Sequence, residues 1–224
     1  MSRSLIVNAD DFGQSAGVNL GVARAHERGI VTSASLMVRF PAAVEAAAYA
    51  HEHQALSVGL HIDLGEWRYE DGARSPIYEV LAEGADEVAA EVERQLGAFR
   101  SLVGSDPTHV DSHQHVHHQE PLHSIAVELA GRLGIPLRAF TSLLRYDNSF
   151  HNWEAITVEG LLSIIAGIPP GVTELGCHPG LGADLESSYL HEREREVEAL
   201  CDPRVRAAIA VEGIELRSFR NAFA

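Results

Sequence analysis

Acidic and imidazole side chains recur where apolar runs of the chain give way to polar loops: Asp10 and Asp11 after LIVNA, His61 after SVGL, Asp111 and His113 after PTHV, and His178 after TELGC. Carboxylates and imidazoles together ligate divalent cations and transfer protons, so these positions point to a metal-dependent enzyme. One carboxylate with two imidazoles makes a three-ligand site that leaves positions open for water and substrate. Zn²⁺, Mn²⁺, Co²⁺, Ni²⁺ or Fe²⁺ suits such a set, and Mg²⁺ suits it less typically. Each position also has a plainer use. The aspartate pair can cap a helix beginning near Ser15, His61 or His178 can be a hydrogen-bonded core residue, and a histidine-rich turn can collect metal on a surface.

The segment PTHVDSHQHVHHQEP holds five of the thirteen histidines. Read as an extended chain, it puts His109, Asp111, His113, His115 and His117 on one face and Val110, Ser112, Gln114 and Val116 on the other. Five ionisable groups on one face are costly to bury without a metal or mutual pairing. In LIVNADDFG, alternation sends Asp11 to the side of Val7 and Ala9, and Asp10 to the side of Ile6 and Asn8. Both face one pocket only if the strand ends there, which Gly13 permits. Adjacent carboxylates can divide labour, one on a cation and the other free as a proton acceptor. Cys177 would point away from its neighbour His178, so no Cys–His pair is expected.

The elements around these residues must carry them to one place. Hydrophobic periodicity predicts strands over 5–11, 32–38, 57–62, 108–113, 136–140, 172–178 and 214–218. Helices are expected over 15–28, 42–53, 86–103, 121–134, 157–166, 187–200 and 203–212. The helix at 86–103 has Val88, Val92, Leu96, Phe99 and Val103 at helical spacing, Asp86 to start it and Gly104 to stop it. Seven strands, nearly all separated by helices, read as one α/β domain over 1–224, a barrel or doubly wound sheet with its chemistry at the carboxyl ends of the strands. Two connections are longer than tight loops: 63–85, with Trp67 and Tyr69, and 141–156, with Arg145, Tyr146, Phe150 and Trp153. Their rings suit stacking on a sugar, or packing of the loops themselves.

Composition narrows the partners. The net charge is -15, which disfavours nucleic acid and anionic membrane. All 17 basic residues are arginine, and the absence of lysine removes Schiff-base chemistry and the phosphate-loop lysine. Cys177 and Cys201 are too few and too far apart for a CxxC site, and both are expected to be buried thiols. No apolar run approaches the roughly 20 residues that span a bilayer, and the N-terminus reads as a strand rather than a signal peptide, so the expected location is cytoplasmic.

NADDFG at 8–13, GIVTSASLM at 29–37, VGLHIDL at 58–64, PTHVDSHQHVH at 107–117 and CHPG at 177–180 together resemble the YdjC family of carbohydrate deacetylases, which includes chitooligosaccharide deacetylases. The resemblance runs in order along essentially the whole chain. It implies a distorted (β/α) barrel with about seven strands, similar to polysaccharide deacetylases, that removes acetyl groups from N-acetylated sugars. It implies one divalent metal ion, Mg or Zn first, with Mn, Co or Ni as further candidates. Carried over by motif, Asp11, His61 and His113 would be the metal ligands and Asp10 the general base. His178 resembles the strand-end histidine that, as imidazolium, protonates the departing amine or orients the base. Arg138, in PLRAF, stands where related deacetylases use an arginine to hold the catalytic carboxylate. The expected partner is a small acetylated sugar, with no nucleic acid and no membrane, and a homodimer is the alternative to a monomer. Loops 63–85 and 141–156 are where substrate choice would be set.

Two other classes compete. Amidohydrolases and phosphoesterases on barrels begin with His-x-His after the first strand, where this chain has Asp-Asp, and the lysine-bridged two-metal site is excluded by composition. A non-catalytic metal-binding or sugar-binding module would be expected to have lost a motif position, and every position is filled.

Overall fold

The structure is a computed structural model that describes residues 2–70 and 73–223, without the side chains of Tyr69 and Glu70. The strands of the main sheet are β1 (Arg3–Phe12), β2 (Ser33–Leu36), β3 (Ser57–Ile62), β6 (Val110–Ser112), β7 (Arg145–Asp147), β8 (Gly171–Cys177) and β9 (Ile214–Leu216). Between β3 and β6 lies a separate antiparallel hairpin, β4 (Gly65–Glu70) and β5 (Ala73–Glu79). β1 is buried along nearly its whole length, as a central parallel strand covered on both faces must be. The sheet order is β6-β3-β2-β1-β8-β7, and every pairing in it is parallel. β8 runs along Arg3–Ala9 of β1, whereas β9 pairs with Arg3–Leu5 and β2 with Asn8–Phe12. The sheet curls into a half-barrel.

Among the described residues, seven α-helices complete the fold: α1 (Ala16–Glu27), α2 (Ala43–Glu52), α3 (Gly84–Val103), α4 (Leu122–Leu133), α5 (Val158–Ala166), α6 (His191–Cys201) and α7 (Pro203–Val211). α3 buries Val88, Val92, Leu96 and Phe99 and stops at Gly104, whose φ of 75° needs no Cβ. It starts before Asp86, and the capping contact comes from Glu87, whose carboxylate accepts from the Glu83 amide at 2.8 Å. Ser15 caps α1 by accepting from Val18 N–H at 3.1 Å, which leaves the aspartate pair free of that duty. No helix among the described residues is long and apolar enough to cross a membrane.

Several expected elements differ. Residues 136–140 form one bridge, Val110 to Leu137, because Ala139 takes a φ of 63° and turns the chain away from the sheet. The seventh sheet strand is instead β7, three residues inside the expected 141–156 loop. The expected loop 63–85 contains the β4–β5 hairpin and the first two residues of α3; Asp71-Gly72, a strong hairpin signal in sequence, lies outside the described residues. The expected extended run through His117 ends at Ser112 and becomes a 3₁₀ turn over His113–His118, with Gln114 and His115 at φ 48° and 54°. The first turn of the expected 187–200 helix is absent, since α6 begins at His191 and Ser187 and Ser188 remain in the preceding loop. Cys177 is buried, but Cys201 is only half-buried.

Candidate metal centre and active-site pocket

A bulge in β1 brings both aspartates to one pocket. The pairing with β2 steps from Ala9–Ala34 to Phe12–Leu36, three residues against two, and Asp11 takes a φ of 62°. The extra residue breaks strict alternation, so Asp11 joins Asp10 on the pocket side while the strand continues to Phe12. A left-handed conformation at a residue other than glycine is strained and persists only where its surroundings hold it. Here Arg193 on α6 donates to Asp11 Oδ2 at 2.7 Å, and His113 Nδ1 lies 2.8 Å from Asp11 Oδ1.

Asp11, His61 and His113 offer donor atoms that all lie within 4.8 Å of one another, and all three are buried. Asp11 Oδ1 is 3.3 Å from His61 Nε2 and 2.8 Å from His113 Nδ1. Ligand atoms about 2.0–2.1 Å from a common zinc-sized ion would be separated by about 3 Å, so the set fits a divalent cation. The far atom of each donor also faces a charged neighbour: Asp111 Oδ1 sits 2.6 Å from His61 Nδ1, Glu66 Oε2 faces His113 Nε2 at 3.4 Å, and Arg193 takes Asp11 Oδ2. Such outer partners fix the ring orientation and tautomer of a ligating histidine. Electrostatics points the same way. Burial alone would push His61 and His113 down, yet Asp111 and Asp11, respectively, lead the groups that lift them to about 10 and about 9. The cluster therefore favours positive charge where a cation would sit. Asp11 is held well below the usual carboxylate range, because His113 and Arg193 outweigh the burial that would raise it.

Behind the donors, Arg138 is fully buried and reaches three carboxylates. Its Nη1 and Nη2 donate to Asp10 Oδ2 and Oδ1 at 2.5 and 2.7 Å, its Nη2 lies 2.9 Å from Asp111, and its Nε donates to Glu174 at 2.7 Å. Burial would raise the Asp10 pKa, but Arg138 more than offsets it and holds the carboxylate below its ordinary value. Asn8 Nδ2 adds a further donor to Asp10 Oδ1 at 2.9 Å. His117, a member of the histidine run, sits under this cluster with Nδ1 2.6 Å from Ser112 Oγ and Nε2 3.2 Å from the Arg138 carbonyl. It thereby holds the backbone of the arginine. His109 is used similarly, with Nε2 3.0 Å from Ser35 Oγ, which in turn donates to Asp111 at 2.6 Å.

His178, just past β8, has Nε2 3.7 Å from Asp10 Oδ2, and its backbone N–H donates to the buried Glu196. Its side chain is about one-fifth exposed, yet burial pushes its pKa down to about 3, against the opposite pull of Asp10 and Asp11. Burial therefore disfavours the charged imidazole at rest. Burial lifts Glu196 to about 8, and Tyr189 donates to it at 2.5 Å.

These groups open into a cavity of about 310 Å³, the volume of a sugar-sized ligand, whose walls include Tyr146, His151, Tyr189 and Gln114. Gly176 lets Tyr146 approach, since a Cβ there would lie 2.7 Å from the phenolic oxygen. Of the aromatic residues in the two long connections, Tyr146 lines the pocket. Trp67 is covered by Arg74 at 3.9 Å, Phe150 is buried, Trp153 is exposed with Arg195 above it, and the Tyr69 side chain lies outside the described residues.

A profile of the YdjC-like protein family matches residues 4–211. The chain belongs to the YdjC-like family. Across 100% of its length it is 36% identical to a carbohydrate deacetylase of Geobacillus stearothermophilus, of which 99% is covered. It is 31% identical to a chitooligosaccharide deacetylase of Serratia marcescens, with 99% of this chain and 100% of that one covered. A solved structure from Enterococcus faecalis V583, provisionally assigned to cellobiose-phosphate cleavage, superposes with a TM-score of 0.84 at 27% identity over the full length of both chains. A family 4 carbohydrate esterase from Streptomyces lividans, in complex with acetate, shares the fold at a TM-score of 0.61 and 12% identity, covering 99% of this chain and 96% of that one.

In this YdjC-like protein the six residues singled out from sequence, Asp10, Asp11, His61, His113, Arg138 and His178, thus come together at one end of the sheet. Reasoning from sequence missed Glu66, Arg193 and Glu196, and left Asp111 without a role. Asp111 sat in a visible motif. Glu66, by contrast, lay in an expected loop, and Arg193 and Glu196 lay in the charged run HEREREVE, which reads as a solvated helix face.

Proposed function

We propose that this YdjC-like protein is a metal-dependent carbohydrate deacetylase that hydrolyses the acetyl group of an N-acetylated sugar. The observation that carries the reading is the junction of a three-donor cation site with Asp10, which is fixed by Arg138 and lies within 3.7 Å of His178. Asp11, His61 and His113 would hold the cation. A bound divalent ion supplies Lewis acidity, lowering the pKa of water from about 15.7 toward about 7 and polarising the acetyl carbonyl.

The remaining work falls to the chain. Arg138 and Asn8 fix the orientation of Asp10, and Arg138 keeps it ionised, so it is the proton acceptor for an attacking water. Burial disfavours a charged His178 at rest, so the proton it delivers to the departing amine is the one that Asp10 has taken up. Tyr146 and Tyr189 form walls that exclude bulk water and hold the sugar. A strongly acidic chain suits a neutral sugar and a cationic amino-sugar product.

The test is a coupled acetate-release screen over N-acetylglucosamine, its oligomers and related acetylated sugars, with several divalent cations. Cation-stimulated release that a chelator abolishes is expected. Release from no substrate with any cation refutes the deacetylase reading.

A further inference from the structure

Glu66 stands on β4, in a stretch whose sequence carries no metal-site signal, yet its side chain is 1% exposed and enclosed by four groups. Oε1 accepts from Ser187 Oγ at 2.6 Å and from Ser188 N–H at 2.9 Å. Oε2 accepts from Gln14 Nε2 at 3.2 Å and faces His113 Nε2 at 3.4 Å. That histidine nitrogen is buried and has no hydrogen-bond partner of ordinary geometry. The carboxylate is thus pinned from two loops and aimed at the one unsatisfied nitrogen of a candidate cation ligand.

We propose that Glu66 is a positioning residue for the cation: it holds the His113 proton on Nε2, so that Nδ1 faces the ion with its lone pair free. This rests on the assignment of Asp11, His61 and His113 as cation ligands. A neutral imidazole carries one N–H, and ligation through Nδ1 requires that the proton stay on Nε2. Asp111 stands in the same relation to His61, with its oxygen 2.6 Å from the nitrogen that points away from Asp11. The two imidazoles are therefore oriented by carboxylates from different parts of the chain, Asp111 from β6 and Glu66 from the hairpin. Because Glu66 also binds Ser187 and Ser188, which line the pocket, it ties their loop to the candidate cation ligand.

Glu66→Gln separates this role from packing. The amide oxygen can still accept from Ser187 and Ser188, but the NH₂ group then donates to His113 Nε2 and drives the proton onto Nδ1. Zinc affinity of chelator-stripped protein, measured by competition with a chromophoric chelator at fixed pH, is expected to fall about 10–100-fold. Glu66→Asp keeps the charge but withdraws it from the imidazole, and a fall of about tenfold is expected. It serves as the second variant if the glutamine form does not fold. Glu79→Gln is the control on the same hairpin: it removes the charge of the carboxylate that accepts from Trp67 Nε1 at 2.8 Å, its amide oxygen can still accept, Glu66 stays in place, and zinc affinity unchanged from wild type is expected. Wild-type affinity in a folded Glu66 variant overturns the proposal, as does an equal loss in Glu79→Gln, which would assign the effect to the hairpin. Wild-type protein that takes up no zinc overturns the ligand assignment beneath it. Absence of acetate release from zinc-loaded wild type bears on the deacetylase reading alone.

Discussion

Replacing Arg138 by methionine removes the guanidinium that faces Asp10, Asp111 and Glu174, at 2.5–2.9 Å, and keeps an unbranched side chain in place of the aliphatic stem. The arginine side chain is fully buried, as are Asp111 and Glu174, and Asp10 is 2% exposed, so solvent screens little of the loss. Removing one partner of a buried ion cluster costs about 3–5 kcal/mol, a large share of the roughly 5–15 kcal/mol by which domains are stable. At about 2–4 °C per kcal/mol for a chain of this size, the melting temperature should fall by about 6–20 °C. The pH dependence identifies the cause. In the wild type Arg138 holds the folded pKa of Asp10 below its ordinary value, so this contribution is present above about pH 4 and is lost as pH falls. Without Arg138, burial dominates and the folded pKa rises above the unfolded value, so stability is retained at low pH and lost as pH rises. The deficit of Arg138→Met should therefore be largest near pH 8 and shrink toward pH 5, as measured by urea unfolding of cation-free protein. A melting shift below about 3 °C, or a deficit independent of pH, would refute the reasoning.

Asp10→Asn should bind zinc within a few-fold of wild type while its acetate-release turnover falls by about 10²–10⁴-fold, and near-native turnover would remove Asp10 as the base. His113→Ala should lose zinc occupancy outright, read by metal content after dialysis. Glu174 is raised to about 7, chiefly by burial and despite Arg138, so its contribution is intact below about pH 4 and is lost as pH rises through 7. Glu174→Gln should then stabilise the protein at pH 8 by on the order of 1–3 kcal/mol and have little effect near pH 4, and destabilisation at pH 8 would show the ionised form to be needed.

Side-chain chemistry at strand ends was legible in the sequence, because a parallel α/β sheet delivers the carboxyl ends of its strands to one side whatever the details of curvature. That rule alone brought Asp10, His61, Asp111, His113 and His178 together, and the β1, β3 and β8 signals were long enough to read. The helix from Gly84 to Val103 was legible for the same reason, a sustained period with a glycine stop. Strand alternation, however, assigned Asp11 to the wrong face, because a bulge changes side-chain direction without leaving a pattern in composition. The extended reading of the histidine run failed at His113, where two left-handed residues end the strand. Arg193, Glu196 and Glu66 reach the site from a charged helix and a hairpin, and only the tertiary structure decides this. Local sequence encodes which face of an element is apolar. Which exposed-looking charge is drawn inward depends on partners more than 100 residues away, as with Arg193 and Asp11 or Glu66 and Ser187.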